Sequence, residues 1–173
     1  RGLPKLPPWK SPVPIESPYR LLSVGRMVEK MGFDRQIPLF LKLREAGIPF
    51  SVEWIGDGPE RKALQEAVEE AGLVGTVKFM GRLPYEKVEE AYRRNDIFLF
   101  TGRIDRRGDR AGLPNAVAEA MAWGLLVFAT HVGAVAEAVE DQVNGILWAD
   151  EPDPETLIRA LSDTGLQDLC RTR

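Results

Sequence analysis

The chain has 173 residues, 44% hydrophobic and 28% charged, with 23 basic against 26 acidic side chains and a net charge of −3. That profile fits one globular domain and excludes collagen, coiled coil and wholesale disorder; with one cysteine and one histidine there is no disulfide framework and no Cys/His zinc site. The slightly acidic balance offers no cationic field for nucleic acid or anionic lipid.

A single cysteine points to a reducing compartment. The most apolar stretch, Ala116 to Thr130, is too short to span a bilayer and is broken by Glu119 and Gly124. Residues 1–10 lack the apolar segment of a signal peptide, so the chain reads as soluble.

Residues 1–18 carry Pro4, Pro7, Pro8, Pro12, Pro14 and Pro18, a density that favours extended backbone and reads as a linker. From Tyr19, strand-like runs alternate with helical patterns: Arg20 to Val24, Phe50 to Ile55, Thr76 to Met80, Ile97 to Phe100, Leu125 to Phe128 and Gly145 to Trp148. Strands separated by helices predict an α/β domain over 19–165, a Rossmann-like three-layer sandwich on a parallel sheet of about six strands.

Helices are expected between the strands and after the last of them. The first runs from about Asp34 to Ala46, delayed or kinked by Pro38. The second starts at Pro59 and stops at Gly72. Tyr85 to Arg94, Asn115 to Trp123 and Pro154 to Leu161 complete the set, and residues 166–173 read as a frayed or truncated end.

Ligands of open parallel sheets bind beyond the carboxyl ends of the strands. Four loops therefore hold the candidate chemistry: Gly25 to Gly32, Gly56 to Pro59, Gly81 to Tyr85 and Thr101 to Asn115. In the first, glycines admit a phosphate to the backbone amides and Arg26 can give it two parallel hydrogen bonds; a plain turn with an exposed arginine fits equally. Gly56-Asp57-Gly58-Pro59 lacks the third glycine of a dinucleotide fingerprint, since Arg61 stands there.

The long loop carries Arg103, Arg106, Arg107 and Arg110 against Asp105 and Asp109, and opens into a helix through Gly112-Leu113-Pro114-Asn115. Free N–H groups and the dipole at that helix start form an anion site, although a solvated loop is the simpler reading of the arginines. Glu119 falls in the small apolar series Ala116-Val117-Ala118-Glu-Ala-Met-Ala, where a carboxylate needs partners; two ribose hydroxyls would serve. Glu137 reads as a helix cap and His131 as a surface residue. No Ser/His/Asp set, Walker A sequence or metal-ligand cluster can be assembled.

Taken in order, Val-Gly-Arg26 with Glu29-Lys30 and Gly32, Trp-Ile-Gly-Asp57-Gly-Pro59-Glu60, Val-Lys-Phe-Met-Gly81-Arg82-Leu83, Gly108-Asp-Arg110-Ala-Gly112-Leu-Pro-Asn, Glu119-Ala-Met-Ala and Val132-Gly133 to Glu137 form one series. The series resembles the nucleotide-sugar-binding, C-terminal half of family 4 retaining glycosyltransferases with the GT-B fold, over about Tyr19 to Leu161.

The resemblance implies transfer of a sugar from a nucleotide diphosphate donor to a saccharide or lipid-linked acceptor, with retained configuration, no metal ion and no cofactor. It implies catalytic roles for Arg26 and Lys30. Donor contacts would come from Gly25, Arg26, Lys30, Gly56, Arg82, Leu83, Gly112, Leu113, Pro114, Asn115, Ala116 and Glu119. Arg26 would hold the pyrophosphate, the amides of Leu113 to Ala116 its distal phosphate, Glu119 the ribose and the backbone of Arg82 and Leu83 the base.

Two positions depart from the family pattern: Met31 stands where a lysine is usual and Ala111 where a glutamate contacts the donor sugar. Lys30 would have to replace the lysine, and nothing obvious replaces the carboxylate, though Asp109 is nearby; the alternative is a degenerate homologue that binds a nucleotide or a partner without transferring sugar. The resemblance also implies a separate acceptor-binding domain ahead of this half, no turnover by this half alone, and no nucleic-acid partner. The expected location is the cytoplasm, with any contact with the inner face of the cytoplasmic membrane made through that preceding domain.

Overall fold

The computed structural model describes residues 13–171. Six strands form one sheet, all parallel: β1 (Tyr19–Val24), β2 (Phe50–Ile55), β3 (Val77–Gly81), β4 (Ile97–Phe100), β5 (Leu126–Thr130) and β6 (Ile146–Trp148), in the order β3-β2-β1-β4-β5-β6. The chain winds outward one way from β1 through β3, then returns to β4 on the other side of β1. The β1/β4 junction is thus the switch point of the strand order, the place where open parallel sheets bind their ligands.

Alternation along each strand sends successive residues to opposite faces. Leu21, Val52, Trp54, Ile97, Leu99, Leu126 and Phe128 join one apolar layer with α1 (Gln36–Glu45), α2 (Arg61–Glu70), α6 (Pro154–Ser162) and α7 (Thr164–Arg171). Leu22, Phe98, Phe100, Val127 and Ala129 join the other with α3 (Tyr85–Arg94), α4 (Asn115–Ala122) and α5 (Val135–Ala138). This is the expected three-layer sandwich, its strands apolar on both sides because both are covered.

Pro38 falls in the first turn of α1, where its missing N–H costs no helical bond, and short 3-10 turns over Glu29–Met31 and Phe33–Arg35 precede the helix. The second helix begins later than expected: Pro59 lies in a turn, Arg61 N–H donates to the Gly58 carbonyl at 3.1 Å, and α2 starts at Arg61. Gly72, with φ of +65°, ends it as expected.

The C-terminal end needs correction. Residues 164–171 form α7 rather than a frayed tail, because Gln167 and Cys170 are buried and the Gln167 amide donates to the carbonyls of Ala160 and Leu161 at 2.8 and 3.0 Å. Of the segment read as a linker, residues 1–12 lie outside the described residues; residues 13–16 carry no helix or strand, and Ile15 is buried in the core. No helix among the described residues is long and apolar enough to cross a membrane.

Candidate functional site

The loops that leave the carboxyl ends of the strands are laced together through their backbones. Gly25 N–H donates to Ile55 O at 3.0 Å, Gly56 N–H to Gly81 O at 2.8 Å, Met27 N–H to Asp57 O at 2.9 Å and Arg103 N–H to Lys30 O at 3.0 Å. Gly32 has φ of +65°, and a Cβ there would stand 1.9 Å from Thr101 O, so only glycine lets the loop after β1 meet the loop after β4.

A buried polar network lies beneath these loops. Ser23 Oγ donates to Leu99 O (2.8 Å), Trp54 Nε1 to Gln36 Oε1 (2.8 Å), Gln36 Nε2 to Thr101 Oγ1 (3.1 Å) and Thr101 Oγ1 to Gly32 O (2.6 Å). Arg35, 9% exposed, donates to the carbonyls of Thr101 and Gly102 at 3.2 and 2.7 Å. Satisfied networks of this kind hold their members in one arrangement, and here they fix the mouth of the sheet.

Above that floor stand the candidate side chains. Arg26 is exposed and forms no ion pair with a described residue. Lys30 Nζ lies 2.7 Å from Asp109 Oδ2, and this contact, with the Arg110 N–H, holds the Asp109 carboxyl below the usual aspartate range. Arg103 pairs with Asp34 at 2.9 Å and Arg106 with Glu29 at 3.3 Å, so two arginines of the long loop tie it to the loop after β1. Glu60, half-buried beside these charges, is held above the usual carboxylate range by burial and by the neighbouring Asp34.

α4 starts at Asn115 behind Pro114, and no side chain caps it. Gly112 and Leu113 are exposed just ahead, which leaves the first N–H groups of α4 available to an anion. One turn on, Glu119 is half-buried and its Oε2 accepts a hydrogen bond from Tyr92 Oη at 3.0 Å. Burial, and then the Glu119 charge, push the Tyr92 phenol far above its ordinary range; the same two causes raise Tyr85 at the head of α3. Arg82 is exposed and Leu83 half-buried in the short loop between β3 and α3.

The two unusual positions have defined surroundings. Met31 is half-buried between both apolar layers, with its Cε 2.4 Å from where a Cβ on Gly25 would stand, so its thioether lies across that glycine. Ala111 is 6% exposed within the layer of α4. Glu137, in the first turn of α5, and His131 are exposed.

The segment after β1 thus supplies Arg26 and Lys30, and α4 supplies its free start and Glu119, at one end of the sheet. Sequence reasoning passed over Tyr92, Arg35, Gln36 and Thr101. Tyr92 reads as an ordinary core aromatic at helical spacing, and only its pairing with Glu119 marks it.

Comparison with known proteins gives the family of the chain. The model for "Glycosyl transferases group 1" matches residues 8–166. The amylovoran biosynthesis glycosyltransferase AmsK of Erwinia amylovora is 34% identical over 147 residues, covering 85% of this chain and 36% of that protein. The putative colanic acid biosynthesis glycosyltransferase WcaL of Escherichia coli K12 is 32% identical over 155 residues, covering 88% and 37%. The chain therefore spans little more than a third of these relatives.

Among solved structures, the C-terminal domain of a glycosyl transferase group 1 family protein from Francisella tularensis superposes with a TM-score of 0.73 at 24% identity, covering 89% of this chain and 80% of that one. Anabaena HepE in complex with UDP gives a TM-score of 0.75 at 20% identity, covering 89% and 42%. The fold is the Rossmann-like C-terminal domain of GT-B glycosyltransferases, and with the family match over 8–166 the chain belongs to the group 1 glycosyl transferases.

Proposed function

We propose that this chain is the donor-binding half of a family 4 retaining glycosyltransferase, moving a sugar from a nucleotide diphosphate sugar to a saccharide or lipid-linked acceptor held by a preceding domain. The observation that carries this reading is the convergence of Arg26, Lys30, the uncapped start of α4 and Glu119 at the switch point of the sheet. Their chemistry divides as the donor does. Arg26 and Lys30 meet the pyrophosphate, while Gly25 and Gly56, their amides bonded to Ile55 O and Gly81 O, set the course of the loops that carry these cations. The amides from Gly112 through Leu113, Asn115 and Ala116, around Pro114, meet the distal phosphate, Glu119 the ribose, and the backbone of Arg82 and Leu83 the base.

As the glycosidic bond breaks, negative charge grows on the departing diphosphate. Cations and amides facing those oxygens stabilise that charge, which lowers the barrier with no metal required. UDP bound by HepE supports a nucleotide diphosphate as ligand, and the polysaccharide names of AmsK and WcaL support a bacterial polysaccharide as product class.

Calorimetry of the chain with UDP, GDP and ADP, in EDTA, tests the site: one nucleotide should bind, and Arg26→Ala or Glu119→Ala should each weaken it about tenfold or more, as expected for a lost hydrogen bond involving a charged group. Undiminished binding in both variants rejects the assignment. Retention is read from the anomeric configuration of the product made by the complete protein.

One observation favours a second reading. Met31 lies over Gly25 and Ala111 is packed in the core, so neither place offers a charge to a donor. On that reading the domain binds a nucleotide or a partner but transfers nothing. Activity in the complete protein rejects it, and activity only after Met31→Lys with Ala111→Glu supports it.

A further inference from the structure

Glu119 stands on α4 among alanines, and a glutamate side chain with several free torsions could point many ways. In this protein one oxygen is fixed. Oε2 accepts from Tyr92 Oη at 3.0 Å, and no hydrogen bond from a described residue reaches Oε1. Tyr92 is itself immobile: it is 1% exposed, its ring is tilted against Phe98 with centroids 6.2 Å apart, and it packs in the layer with Val88, Ala91 and Val117.

The hydroxyl makes both of its contacts to α4, to Glu119 and, more loosely, to Ala116 O at 3.4 Å. A residue needed only to fill this apolar layer would carry no hydroxyl, because burying one without a partner is costly. Its partner here is a carboxylate, the stronger kind of acceptor. Burial and the Glu119 charge keep the phenol protonated, so it remains a donor.

We propose that Tyr92 is a positioning residue: it pins Oε2 of Glu119, leaving Oε1 as the acceptor offered to the vicinal hydroxyls of a ribonucleoside diphosphate. The inference rests on the reading of Glu119 as the ribose-facing carboxylate. Pre-setting the carboxylate removes the ordering cost that a free side chain would add when ligand binds. The selectivity this produces is for ribose carrying both hydroxyls, whatever the base.

The test uses the 173-residue chain and its Tyr92→Phe variant, which keeps the ring and the packing. Dissociation constants are measured for UDP, GDP and ADP, and for the 2′,3′-dideoxy form of the tightest binder. Tyr92→Phe should weaken the ribonucleotide about tenfold, the range of one hydrogen bond to a charged group, and change the dideoxy form less than about twofold. In a Glu119→Ala background Tyr92→Phe should add less than about twofold, since the acceptor is already gone. Equal weakening of both sugars marks a merely structural role and overturns the proposal, as does an unchanged ribonucleotide. If none of the three nucleotides binds the parent chain, the donor-site reading falls and takes this one with it; binding with a sugar-blind Tyr92→Phe effect overturns the positioning role alone.

Discussion

Replacing Gly56 by alanine tests whether the loops framing the site are locked backbone to backbone. Gly56 has φ of +133°, and a Cβ there would stand 1.8 Å from the Gly25 carbonyl oxygen and 2.9 Å from its carbon. Because the obstacle is main chain, no rotamer change relieves it. The ends of β1 and β2 would have to part, straining the 3.0 Å bond from Gly25 to Ile55 and the 2.8 Å bond from Gly56 to Gly81. Strained backbone of this kind costs about 1–3 kcal/mol and overpacking about 1–3 kcal/mol more, so Gly56→Ala should lose about 4 kcal/mol, a large part of a typical domain's total. Gly124→Ala is the control: φ is +76°, but nothing lies within 4 Å of the added carbon, and the cost should be the left-handed backbone alone, about 1–2 kcal/mol. Urea unfolding followed by tryptophan fluorescence, with the fully buried Trp54 as reporter, measures both. A Gly56→Ala loss no larger than that of Gly124→Ala refutes the reasoning.

Three further outcomes follow from the same geometry. Arg35→Met strips donors from the Thr101 and Gly102 carbonyls and should cost about 3 kcal/mol in urea unfolding, the upper range for hydrogen bonds made by a charged group; a loss under about 1 kcal/mol contradicts the buried network. Asp153 caps α6, and the Thr156 hydroxyl, then the Thr156 and Glu155 N–H groups, hold its carboxyl below the usual range against the effect of burial. The stability it adds is therefore complete above about pH 4 and lost as pH falls through the depressed folded value. Asp153→Ala should cost about 1 kcal/mol at pH 7 and progressively less as pH falls below about 4, and a pH-independent loss would count against the cap. The Cys170 thiol, pushed up to about 11 mainly by burial, should react with an aromatic disulfide reagent at pH 8 only as fast as the chain opens; immediate labelling contradicts the docking of α7.

The sheet was legible because its strands are apolar on both faces, and runs such as Ile97 to Phe100 and Leu126 to Thr130 announce that burial directly. α7 was not, because its buried face mixes Cys170 with the polar Gln167, whose amide is satisfied only by carbonyls of α6. In the site, Arg26 and Glu119 stood out as charges in glycine-rich or small apolar surroundings. Tyr92 did not, since its spacing in α3 reports only that it faces the core. The partners of Glu119 and Lys30 come from residues 27 and 79 positions away, separations over which local patterning carries no information. Thr101 and Gln36 are hidden likewise: each looks like a loop or cap residue until the fold brings Gly32 and Trp54 against them.

The most direct test of the donor site is an amide NMR titration of the chain with UDP, GDP and ADP in parallel, without metal and with EDTA present. One nucleotide should give saturable shifts confined to residues 25–30, 56, 82–83 and 112–119, which lie at the ends of four elements. Shifts elsewhere, or no saturable shift with any of the three, would contradict it.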